Sequence, residues 1–219
     1  SVSPSAPQPA TRRATVKPRR CRAIAHALKD AGFSVLLVDR NRWNIQAARM
    51  EGLPTREGNI LSEDLLTQLD LGGIGRFLAM TPNDEVNSLA ALHLSGVFGR
   101  ANVYQLYPRQ RSERDEPAPQ TVRARFLFGK DITSPVLDRR FEQGAIIKTT
   151  KLTEEFSYAD FQDEYQQSAL PLFVVTETGK LLIRTADDKT VPKRGQTVIA
   201  LVDPVEQPQQ ERTPAPAEA

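Results

Sequence analysis

The sequence predicts an α/β protein: a Rossmann-like, mostly parallel sheet followed by a smaller α+β domain. Three observations carry this. Between residues 22 and 106 helical and strand patterns alternate in the order α-β-α-β-α-β-α-β, an order that requires parallel strands with helices on both faces. Beyond residue 121, short strands and a Thr178-Gly179 turn read as a hairpin-containing unit. Between them, residues 109–120 carry Pro117 and Pro119 among charges, the composition of a linker.

The expected organisation is an unpacked segment over 1–18, a Rossmann-like unit over 19–108, the linker 109–120, an α+β unit over 121–204 and a tail over 205–219. The first segment holds Pro4, Pro7, Pro9 and Pro18 and few large apolar residues, too few to offset the entropy of ordering. The helix expected at 22–31 rests on Ile24, Ala27, Leu28 and Ala31 at helical spacing, with Gly32 as its stop. Residues 33–38 are apolar apart from Ser34, as in a strand buried on both faces. A helix at 44–50 ends before Gly52, and 54–60 gives a short strand. Ser62 is placed to cap a helix carrying Leu65, Leu66 and Leu69. A strand at 76–80, a helix at 85–96 and a strand at 102–106 complete the alternation. In the second unit, strands are expected at 122–128, 145–152, 170–176, 180–184 and 196–202, with helices at 135–143 and 158–165.

Composition excludes several classes. The 219 residues are 39% hydrophobic and 26% charged, with a net charge of +2, too little excess for a nucleic-acid binder by charge alone. The apolar runs, such as Val35-Leu36-Leu37-Val38, fall far short of the roughly 20 residues of a membrane span. A single cysteine, Cys21, excludes an internal disulfide framework and a Cys-rich metal site. The first residue is Ser1, not methionine, so the chain reads as a processed product or a piece of something longer.

Candidate ligand chemistry gathers where strands end. Asp39 closes the apolar strand 33–38. In a dinucleotide fold an acid at that point accepts the ribose hydroxyls of the adenosine half; otherwise it only starts the turn before Trp43. Around it, Ile24-Ala25-His26-Ala27-Leu28, Gly32-Phe33, Val38-Asp39-Arg40-Asn41, Glu57-Gly58-Asn59 and Leu78-Ala79-Met80-Thr81-Pro82-Asn83-Asp84-Glu85-Val86-Asn87 stand in an order that resembles the Trk-type (RCK) nucleotide-binding domain. The similarity is to the version attached to bacterial sodium(potassium)/proton antiporters, and it spans about residues 20–204.

That resemblance implies a cytosolic regulatory domain without catalysis, at the cytoplasmic face of the bacterial inner membrane. It would bind NAD or an adenine mononucleotide and bias a membrane antiporter domain. The residues it marks for the ligand are Asp39, Arg40, Asn59, Thr81, Pro82 and Asn83, with Asn87 one turn into the next helix. Plainer readings stand beside these: Asn59 as a turn residue, Thr81 and Asn83 as helix caps, Asn87 as a helix-surface amide.

The sequence departs from the family at one place. An apolar strand and G-x-G-x-x-G, whose glycines admit a pyrophosphate, are replaced by Val16-Lys17-Pro18-Arg19-Arg20-Cys21-Arg22, with no glycine before Gly32. The central strand is therefore expected to be lost or reduced to Ala14-Thr15-Val16, and dinucleotide binding to be weak or absent. Arg19, Arg20 and Arg22 either hold a phosphate by charge or form a solvated basic tail. The same basic stretch suits an anionic leaflet, but without aromatic interleaving it offers no specific nucleic-acid contact.

The rival reading is an NAD-dependent oxidoreductase, which needs an acid or base beside the nicotinamide. The two histidines, His26 and His93, fall inside helices and read as structural. Cys21 has basic neighbours that would lower a thiol pKa, yet no partner, and reads as an exposed bystander. No catalytic residue and no metal site are expected. A sheet without its middle, together with the apolar residues Val86, Leu89, Ala90, Leu92, Leu94 and Val97-Phe98, predicts a homodimer or an aggregation-prone species, unless Ala14-Thr15-Val16 supplies a substitute strand and the helix packs entirely inside.

Overall fold

The computed structural model describes residues 19–109, 124–165 and 168–204. The segments expected at 1–18 and 205–219, and the linker beyond Arg109, lie outside them.

Helix α1 spans Arg19–Asp30, starting earlier than its apolar spacing indicates. Gly32, at φ 89°, supplies the left-handed residue that ends it. Strand β1 is only Leu37–Asp39, because its partner is short: β2, Thr55–Glu57, begins beside Leu37, and Leu37 N donates to the Pro54 carbonyl at the edge of the ladder. Helix α2, Arg42–Met50, starts two residues early because Asn41 caps it, accepting from the Trp43 N–H. Helix α3, Glu63–Gln68, has Ser62 at the expected cap position, but that side chain makes no cap bond. Strand β3 is Phe77–Ala79, α4 is Asp84–Phe98, and β4 is Val103–Gln105 after a single turn of 3-10 helix.

All these strand pairs are parallel, as expected, but they fall into two sheets. One is β1 with β2; the other runs β3-β4-β5, where β5 is Arg125–Phe126. Among the described residues no strand joins β1 to β3; Ala14-Thr15-Val16, the remnant of a central strand named from sequence, lies outside them. Helix α1 spans the seam instead. Its Ala25 packs with Ala48, Leu53 and Leu37 on one side, while Ile24, Ala27 and Leu28 join Leu78 and Met80 on the other.

The C-terminal part is α+β. Helix α5, Ser134–Glu142, carries Pro135 in its first turn, where a missing N–H costs nothing. Strands β6 (Ile146–Lys151), β7 (Leu170–Val175), β8 (Leu181–Ile183) and β9 (Thr197–Val202) form an antiparallel sheet in the order β6-β9-β7-β8. The β7–β8 hairpin turns at Gly179, with φ 79°. One apolar cluster runs through both parts, from Ile24, Tyr104 and Leu106 to Leu137, Phe173 and Leu201. A second holds Leu152, Phe161, Tyr165 and Val198 under helix α6, Tyr158–Glu164.

Helix α6 opens with a capping box. The Ser157 hydroxyl accepts from the Asp160 N–H, and the Asp160 carboxylate accepts from the Ser157 N–H and hydroxyl at 2.7 Å each. Those bonds to Ser157 hold the Asp160 carboxyl below its usual range. A depressed folded pKa stabilises the fold above the unfolded value, about 3.9 for Asp, and the gain disappears as pH falls through the folded value. Ser157→Ala is therefore expected to lower the urea midpoint clearly at pH 7, and by less as the pH is taken down from about 5. An equal loss at pH 7 and pH 3 would show that the carboxylate plays no part.

Candidate functional site

The residues marked by sequence fall at strand ends of two separate sheets. Asp39 ends β1, Asn59 follows β2, and Thr81 follows β3 in the other sheet; the C-terminal ends of strands are where open parallel sheets bind ligands. Gly58 N donates to the Asp39 carbonyl, holding the loop after β2 beside the end of β1. A shallow concavity here is lined by Cys21, Arg22, Val38, Asp39, Asn44 and Ile45.

The side chains at these strand ends largely bind groups a few residues away in their own loops. Asp39 Oδ1 accepts from the Asn41 N–H at 2.8 Å and Oδ2 from Asn44 Nδ2 at 2.7 Å, so each carboxylate oxygen already holds a local donor. Arg40 is exposed. Asn59 is exposed, its Oδ1 accepting from the Leu61 N–H at 3.2 Å, which makes it a turn residue in this conformation. Asn83 caps α4 by accepting from the Val86 N–H at 2.9 Å. The Pro82 carbonyl accepts from Arg109 Nη2 at 2.9 Å.

Asn87 is not the surface amide that sequence favoured: it is 2% exposed. Its Oδ1 accepts from the Thr81 N–H and hydroxyl, at 2.9 and 2.8 Å, and its Nδ2 donates to the Thr81 carbonyl at 3.0 Å. One buried amide thereby fixes the whole turn after β3. A helical amide that looks solvated by spacing faces inward here because β3 ends beneath it.

The basic cluster is also not a solvated tail within the described residues. Arg20 is 1% exposed. Its guanidinium pairs with Asp138 of α5 and donates from Nη2 to the Met80 carbonyl at 2.9 Å, while Nε is buried without a partner. Arg22 Nε pairs with Glu51 at 2.8 Å, and His26 Nε2 reaches the other Glu51 oxygen at 3.1 Å. Three arginines and no acid stand in the first turn of α1, the positive end of the helix dipole, so Asp138 and Glu51 supply the countercharge. Neither partner was visible in the sequence, since they lie 118 and 29 residues away.

Cys21 is partly buried, not an exposed bystander. Burial pushes its thiol pKa up, more strongly than the neighbouring Arg20 draws it down. His26 is half-buried against Glu51 and His93 is exposed on α4. Among the described residues no group of three His, Cys, Asp or Glu side chains is placed to hold a metal ion.

Parallel strands flanked by helices, with an acid at the end of one strand and a capped loop after another, define a Rossmann-like α/β unit. Residues 19–115 match the TrkA-N domain, the N-terminal half of RCK domains. TrkA-N domains are typical of the regulatory RCK domains of potassium transporters and channels, and commonly bind NAD. No curated protein matches the chain. No helix among the described residues is long and apolar enough to cross a membrane.

The residues present suit part of an NAD molecule. Asp39 has the chemistry for an adenosine ribose. The pyrophosphate does not fit: it needs glycine backbone at the start of the helix, and α1 begins Arg19-Arg20-Cys21-Arg22, with the Arg20 side chain folded inward onto Met80 and Asp138.

Proposed function

We propose that this chain is the regulatory, non-catalytic part of a cation/proton antiporter, acting at the cytoplasmic face of a bacterial inner membrane. The observation that carries the reading is the TrkA-N match over residues 19–115, joined to a second α+β unit through a shared core. Such a unit works mechanically. Ligand or ion occupancy changes the populations of two domain arrangements, and a tethered membrane domain reads the difference. Its partners are that membrane domain and a second copy of the chain.

The ligand side of the proposal is an adenine mononucleotide or NAD(H) bound weakly, with Asp39 on the ribose, Arg40 and Asn59 beside it, and the Thr81-Pro82-Asn83 turn over it. The engaged oxygens of Asp39 and the missing glycines oppose tight binding, and a carboxylate there repels a 2′-phosphate. Calorimetry is expected to show no saturation with NADPH at micromolar concentration, and at most weak heats with NADH, AMP or ATP. Micromolar NADPH binding would overturn the assignment of Asp39. Steady-state turnover of NADH or NADPH with a panel of small carbonyl compounds would replace the regulatory reading with an oxidoreductase.

A further inference from the structure

We propose that the outer face of α2 is a contact with an anionic lipid surface, with Trp43 and Met50 entering the headgroup layer and Arg42 and Arg49 meeting its phosphates. This rests on the reading under Proposed function that the chain works beside a membrane, and it adds the surface by which the chain would lie against the lipid.

The inner face of α2 is fixed by the fold. Ile45 and Ala48 are buried, Ala48 packs with Ala25, Leu53 and Leu37, and Asn44 donates to the Asp39 carboxylate. The outer face carries what the fold does not use. Met50 and Trp43, at 82% and 69%, are the two most exposed large apolar side chains among the described residues. Their positions, 43 and 50, follow the i, i+7 spacing of one helix face, with the exposed Gln46 between them. A tryptophan joins a large apolar ring to an N–H that favours a wet boundary, and membrane interfaces are where such rings collect.

Charge selects the occupant. Arg42 and Arg49 flank this face at the same spacing, and Arg40 stands just before the helix; all three are exposed. Helix α2 contains no acid, and none of the three arginines is in an ion pair among the described residues. Arg49 donates only to the Thr55 hydroxyl, at 2.9 Å. The acids at the two ends of the helix are engaged: Asp39 by Asn41 and Asn44, and Glu51 by Arg22 and His26. An anionic leaflet attracts such cations residue by residue, and a lipid surface takes ring, thioether and arginines together. A second copy of the chain is disfavoured, because a two-fold contact on this face would set arginines against arginines. Nucleic acid would accept the arginines and stack the ring; the methionine beside them favours lipid. The basic stretch that sequence offered to a leaflet is a different one, and its Arg20 and Arg22 turn inward to Asp138 and Glu51.

Trp43 is the single tryptophan of the chain, so tryptophan fluorescence reports this face alone. With the full chain, vesicles of phosphatidylcholine mixed with phosphatidylglycerol are expected to shift the emission to the blue, and brominated acyl chains in them to quench it. Vesicles of phosphatidylcholine alone should do neither, and added salt should release the protein. Arg42→Glu with Arg49→Glu should weaken binding by at least about tenfold, and Met50→Asp should remove the blue shift. Arg139→Glu with Lys189→Glu makes the same change in net charge at exposed sites elsewhere and should leave binding intact. Should an α2 variant unfold, bromine quenching of the unaltered chain still decides. No response to the anionic vesicles, an equal response to both vesicle types, or equal losses in the two double variants would each overturn the proposal. So would a blue shift that grows with protein concentration without lipid, or a response to a single-stranded oligonucleotide but not to vesicles. None of these readouts involves nucleotide or turnover, so the lipid contact and the regulatory reading can fail separately.

Discussion

Asp138→Ala is expected to destabilise the protein by about 3 kcal/mol, the lower part of the range for breaking a buried ion pair from one side. The cause is the residue left behind. Arg20 is 1% exposed, and without Asp138 its guanidinium keeps only neutral partners, the Met80 carbonyl and the Cys21 thiol, with Nε already unpartnered. The charge then has neither water nor a counterion. The Asp138 side chain is 23% exposed, which admits some water and places the loss at the lower end. Removing both charges should behave differently. Arg20→Met with Asp138→Leu fills a similar volume with apolar atoms and is expected to recover most of the loss. Urea unfolding of the three variants reads this directly. A loss under about 1 kcal/mol for Asp138→Ala would mean that the guanidinium reaches solvent.

The same ion pair shows what the sequence could and could not disclose. The alternation of helix and strand was legible because apolar spacing is local: residues that share a helix face lie three or four apart, and glycines such as Gly32 mark the stops. Strand lengths were overestimated because a ladder is as long as its partner allows, so β1 begins at Leu37, where β2 begins, and not at Phe33. The missing glycines before Gly32 were legible in the sequence itself. The contacts formed in their place were not. Arg20 and Asp138 are 118 residues apart, and nothing near Arg20 in sequence distinguishes it from Arg19, which stands one position away. Asn87 was legible as a residue of interest but not as a buried one, since its burial depends on where β3 ends. Asp39 and the Thr81 turn stood out by their place at strand ends; that Asp39 is engaged by Asn41 and Asn44, and Thr81 by Asn87, depends on local turn geometry that spacing alone does not show.

Phe173→Ala is expected to cost about 3–5 kcal/mol, the usual price of removing a buried aromatic ring, and its effect should reach beyond its own sheet. Phe173 is fully buried on β7 and meets Phe128 edge to face, with centroids 5.6 Å apart. Its cluster includes Ile24 of α1, the strand-end residues Met80 and Leu106, and Leu137 of α5. A cavity at this position removes contacts from both parts of the molecule, because interiors at close packing relax only partly into a void. If the shared cluster makes the two parts one cooperative unit, amides of β4, Val103–Gln105, should lose exchange protection together with those of β7. Hydrogen exchange followed strand by strand separates the alternatives. Protection lost in β7 alone, with β4 unchanged, would show two units that unfold independently. That result would also weaken the regulatory proposal, since a unit that does not share its stability with the β3-β4-β5 sheet has no packed route by which to pass a bias onward.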